Sequence, residues 1–147
     1  MEFRLTEDLY LAKEEFQTKK LALVFVKHTE VLYTDVQSSL LPLIKAIEQL
    51  KERAKGATVV DKVIGRAAAM LLIQAQVEQV YSPTMSEGAR ELFNQARIKN
   101  DALSVVSEIL APDGQNQCMM ERLVANISDP AEGRKVLLNF FREKEML

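Results

Sequence analysis

Six residues carry most of the patterned polar chemistry of this chain: Asp61, Lys62, Thr84, Ser86, Glu87 and Cys118. Five fall within Gly56–Ala89, where Thr58-Val-Val-Asp61 and Thr84-Met-Ser-Glu-Gly88 read as two helix N-termini on either side of one short buried strand. In an α/β sheet such ends converge on one edge, and ligands bind there because unpaired N–H groups and the helix dipole attract polar and anionic groups. Asp61 serves either as a helix cap or as a hydrogen-bond acceptor for a polar ligand, while Lys62 or Arg66 reaches an anion or solvent. Thr84 and Ser86 offer hydroxyls beside free backbone N–H groups, which suits a phosphate or carboxylate; capping by Ser86 alone accounts for the same residues. Cys118 opens a short helix, where its thiol is either acidified and reactive or buried and inert. Together these residues suit a small polar or nucleotide-like ligand held between two helix ends. A reaction would need Asp61 or Glu87 as general base and Cys118 as nucleophile.

Other chemistries lack their residues. A zinc site of the Cys/His kind needs about three N or S ligands. The chain has one histidine, His28, and one cysteine, with no C-x-x-C, H-x-E or H-E-x-x-H, so no metal and no cofactor is expected. Ser86 lies in no G-x-S-x-G elbow and has no histidine partner in prospect. There is no G-x-G-x-x-G and no P-loop. A net charge of −2 argues against nucleic-acid binding by bulk electrostatics. The clusters Lys19-Lys20 and Lys51–Lys55 sit at element ends and read as solvated surface. The longest apolar-rich run, Val59–Val77, is broken by Asp61, Lys62, Arg66, Gln74 and Gln76, so no membrane span is expected. The opening MEFRLTEDLY has no apolar core, so no signal peptide is expected, and a single cysteine fits a reducing compartment. A cytoplasmic location follows as the expectation, with an oligomer left open.

The elements that must position these residues follow from periodicity and punctuation. Thr6 caps a helix over about Glu7–Lys19, with Leu9, Leu11, Ala12 and Phe16 as its apolar face. Leu21–Val26 and Val31–Thr34 form a hairpin through His28 and Thr29, its first strand buried on both faces. Ser38 or Ser39 caps the next helix, with Pro42 in its first turn, and Gly56 ends it. The Thr58-x-x-Asp61 pattern, an acidic capping box, opens a helix rich in small residues. Glu78–Ser82 is a short strand, Pro83 a turn, and Ser86–Ala96 a helix. Ile98–Val106 starts as strand, Ala111–Gly114 is a turn, and Cys118–Ile127 is helical. Asp129-Pro130 starts a final helix reaching about Glu145. The 147 residues show no repeat or long linker. One α/β domain over residues 1–147 is expected, a three-layer αβα sandwich whose mixed sheet begins with an antiparallel hairpin.

Several segments resemble a known family: Leu21–Lys27 (LALVFVK), Val31–Thr34 (VLYT), Gly56–Ala69 (GATVVDKVIGRAAA), Val80-Tyr81 and Met85–Ala89 (MSEGA). They are similar to a small, mainly bacterial family of unknown function with a cytidine-deaminase-like fold. The resemblance covers about Leu5–Phe141 and implies a three-layer αβα fold with no established activity. True deaminases start one helix with H-A-E or C-A-E and the next with P-C-x-x-C, with zinc between the two helix ends. By position, Val60-Asp61-Lys62 falls near the first motif. Pro83–Glu87 falls on the second, with Thr84 and Glu87 in place of the cysteines. The resemblance therefore implies no zinc-dependent deamination here. The family also tends to carry an N-R-D-G turn followed by C-P-M-E, where this chain has Ala111-Pro-Asp-Gly114 and Cys118-Met-Met-Glu121. A second reading is a non-catalytic interaction or scaffold protein with a filled cleft, its partner meeting an apolar patch at Phe140, Phe141 and Leu147 or on the first helix.

Overall fold

The computed structural model describes residues 2–147, with side chains from Leu5 onward. Helix α1 (Glu2–Thr18) leads into the hairpin β1 (Leu23–Lys27) and β2 (Glu30–Asp35). Helix α2 (Leu40–Leu50), a 3-10 turn (Lys51–Ala54), β3 (Thr58–Asp61), β4 (Val63–Ile64) and α3 (Arg66–Gln74) follow. Then come β5 (Gln79–Ser86), α4 (Glu87–Gln95), β6 (Lys99–Val106), α5 (Met119–Val124) and α6 (Pro130–Glu143). The six strands form one mixed sheet: β1 pairs antiparallel with β2 and β3, while β3, β4 and β6 pair parallel with β5.

Strand alternation builds two cores from one sheet. In β1, Leu23 and Phe25 join the larger core against α2, α3, α4 and α6, while Val24 and Val26 turn to Ala12 and Phe16 of α1. A strand apolar at every position therefore feeds both layers, and each fully buried Val, Leu or Phe contributes about 1.5–3 kcal/mol. The result is an αβα sandwich with α1 alone on one face. Among the described residues, no helix is long and apolar enough to cross a membrane.

Several elements differ from the sequence expectation. Thr58-Val-Val-Asp61 is a strand, not a helix start: all four residues are buried, with β1 on one side and β5 on the other. The β-branched run Thr58–Val60 fits that central position better than a first helical turn. The small-residue helix starts at Arg66 instead, with Gly65 at its N-cap. Pro83 makes no turn either, because β5 runs on to Ser86. The missing proline N–H falls where the ladder is already irregular. There Ser82 Oγ accepts the Thr84 N–H and sits 3.2 Å from the Lys62 carbonyl oxygen. β3 and β4 keep one register along β5, interrupted at Lys62. Thr6 lies inside α1 rather than at its cap, and the segment after Ile98 is strand from Lys99 through Val106. Of the three C-terminal residues named for an apolar patch, Phe141 is buried and Phe140 packs on the core, while Leu147 is exposed.

Candidate functional site

The chain leaves β3 at Asp61 and, through Lys62 and β4, reaches the glycine that starts α3. Asp61, Gly65, Ala67 and Ala68 line a cavity of about 370 Å³, with Ser38 and Ser39 ahead of α2 and Cys118 and Glu121 at α5. Leu40, Ile109 and Met120 add apolar wall. Gly65 has no side chain with which to cap α3, and a distant residue does that work. Glu121 is buried, and its Oε1 accepts the Arg66 N–H at 2.7 Å while Oε2 accepts the Ala67 N–H at 2.8 Å. A Cβ at position 65 would lie 2.4 Å from Glu121 Oε1, so the glycine is what lets the carboxyl reach. Glu121 thus occupies the place an anion would take at this helix end.

Asp61 has only 7% of its surface exposed. Burial pushes its carboxyl up to about 8, against the opposing pull of the Lys62 and Val63 backbone N–H groups. At neutral pH it is largely protonated, and a protonated carboxyl both donates and accepts a hydrogen bond. The cavity therefore offers a neutral donor–acceptor group beside a carboxyl already paired to backbone, the hydroxyls of two serines and a half-buried thiol.

The start of α4 lies alongside that of α3 but is closed differently. Ser86 is buried and its Oγ accepts the Ala89 N–H at 3.1 Å, which makes it the cap of α4. The gap between the two helix starts is taken by Arg66. A Cβ on Gly88 would sit 2.9 Å from Arg66 Cγ, and the guanidinium donates to the Ile127 carbonyl through Nη2. Arg66 Nε is buried without a hydrogen-bond partner.

The six residues singled out from sequence therefore separate. Asp61 and Cys118 share the cavity. Lys62 is exposed and, with Thr84, lines an open depression beside Phe16 and Gln17 of α1, on the opposite face of the sheet. Alternation along β3 forces this, since Asp61 follows Val59 to one face and Lys62 follows Val60 to the other. Ser86 is consumed in capping, and Glu87 is exposed in the first turn of α4. The cavity does not lie between two helix ends but between the α3 start, the residues ahead of α2 and the α5 segment. Sequence reading missed Gly65 and Glu121 as site residues. The available signal was Glu121 itself, three residues after Cys118 in a short helix. Among the described residues, no group of three or more His, Cys, Asp or Glu side chains is placed to hold a metal ion.

Comparison with known proteins gives this geometry a family. Residues 11–141 match DUF1893, a domain of unknown function, and the chain belongs to that family. The crystal structure of a DUF1893 family protein (TM1506) from Thermotoga maritima is similar with a TM-score of 0.85 and 26% identity, covering 90% of this chain and 89% of that one. RibD of Acinetobacter baumannii, in two crystal forms, is similar with a TM-score of 0.51 and 19% identity. That likeness covers 67% of this chain and 35% of RibD, and it is consistent with a deaminase-like fold. A search of the curated proteins finds no match.

Proposed function

We propose that this DUF1893 protein binds a small polar molecule, nucleoside-like in its mix of planar polar edge and apolar surface, in the cavity lined by Asp61, Cys118 and Glu121. The observation that carries this reading is a buried carboxyl raised to about 8 that lines a cavity of about 370 Å³. Burying a carboxyl is unfavourable, and polar side chains kept in cavities tend to serve ligands. A protonated Asp61 favours a neutral ligand with adjacent donor and acceptor over a phosphate, because Glu121 already fills the anion position of α3. It also acts as an acid rather than a base at neutral pH, so no base-assisted attack by Cys118 is assigned.

The test is a thermal-shift screen of nucleosides, nucleotides and sugar phosphates. Neutral nucleosides should stabilise the wild type and lose their effect with Asp61→Ala. Stabilisers that act equally on Asp61→Ala would move the site elsewhere, and preference for phosphates would contradict the polarity argument. One observation favours a second reading, a non-catalytic interaction protein: the Arg66 side chain fills the gap between the helix starts. That reading predicts no stabiliser in the screen and a partner that co-purifies.

A further inference from the structure

We infer that β6 is a self-association edge: two copies join antiparallel along Lys99–Val106, with the two Leu103 side chains facing each other near the two-fold axis. The inference is independent of the cavity and of what it binds. β6 pairs with β5 from Lys99 to Val106, interrupted only at Leu103 opposite Pro83, and, among the described residues, has no strand on its other side. Leu103 is 79% exposed, the most exposed large apolar side chain among the described residues, and Val105 beside it is exposed as well. α1 packs on β1 and β3 and leaves this end of the sheet face bare.

The two sheet edges are guarded unequally. β2, the opposite edge, carries a register irregularity facing Phe25 and Val26, begins with Glu30 and ends with Asp35, features that discourage pairing with another chain. β6 has no proline, and its second half, Ala102–Val106, has no charge. Lys99 and Asp101 charge its first half, where Asp101 Oδ1 accepts the Ala102 N–H, so the template for another strand is the uncharged stretch centred on Leu103.

Charge selects a second copy as that strand. Arg97 and Lys99 stand at the start of β6 and Glu108 lies just past its end. An antiparallel pair brings the basic end of each copy to the acidic end of the other, which is the self-complementarity a two-fold interface requires. A register centred on Leu103 sets Lys99 across from Ser107, next to Glu108, and Asp101 across from Val105. A register that placed Asp101 across from Glu108 would oppose like charges.

Sedimentation velocity on the full chain tests this. The wild type should sediment at twice the chain mass, and Leu103→Lys should halve that mass while the circular-dichroism spectrum of the folded chain stays unchanged, because the side chain is exposed. In a Cys118→Ser background, Leu103→Cys should cross-link between copies with a short bis-maleimide. A wild type that stays monomeric up to its solubility limit, including one that pairs β6 with a strand of another protein, overturns the proposal. So does a dimer that survives Leu103→Lys.

Discussion

Helices α3 and α4 begin side by side, one closed from a distance and the other from within. Ser86 caps α4 through Ala89, three residues on, a bond that the local sequence supplies by itself. α3 begins at a glycine and has its first two N–H groups held by Glu121, 55 and 54 residues away in sequence. A self-capped start is a finished end. A start that borrows its cap becomes a junction, and here the junction ties the first turn of α3 to α5 beside the cavity. The space beside α3 is therefore where polarity can be tuned, whereas the α4 side is closed by its own serine and by Arg66.

The comparison can be broken in order of expected effect. The largest concerns Asp61. Its carboxyl rises from 3.8 to about 8 on folding, so the unfolded chain ionises where the folded protein does not. Its contribution to stability is full below about pH 4, falls progressively as pH rises, and is lost above about pH 8, a span of several kcal/mol. Asp61→Asn should flatten that profile in denaturant melts, while Ser86→Ala should leave its shape intact. Equal wild-type stability at both ends of the window would exclude a buried protonated Asp61.

Next comes Glu121→Ala, which strips two bonds from α3 and leaves the buried Ala67 N–H unpaired. A loss of about 3 kcal/mol is expected, read as a lowered denaturation midpoint. Ser86→Ala should cost only about 1 kcal/mol, the ordinary value of an N-cap. If the two substitutions prove equal, the distinction between the borrowed and the local cap collapses.

What was legible in the sequence followed the range of the interaction. The hairpin, the Ser86 cap and the Asp129-Pro130 start of α6 are written within four residues, and each is present. Asp61 is buried, but Thr58-x-x-Asp61 matches a capping pattern while β1 and β5 impose a strand on it. That one difference in period, two residues instead of 3.6, sends Lys62 to the far face and separates it from Asp61. Glu121 could not be assigned to α3 from spacing, because nothing local links residues 55 apart. The fold class depended on the order of elements and survived these errors; the grouping of the six candidate residues depended on which strand edge meets which helix start, and it changed.

The reach of Glu121 also sets an order of events at the ribosome. α3 is synthesised more than fifty residues before its cap exists. At a few to about twenty residues per second, its first turn spends several seconds with open N–H groups before the C-terminal third arrives. The cavity beside α3 is then among the last parts of the domain to close.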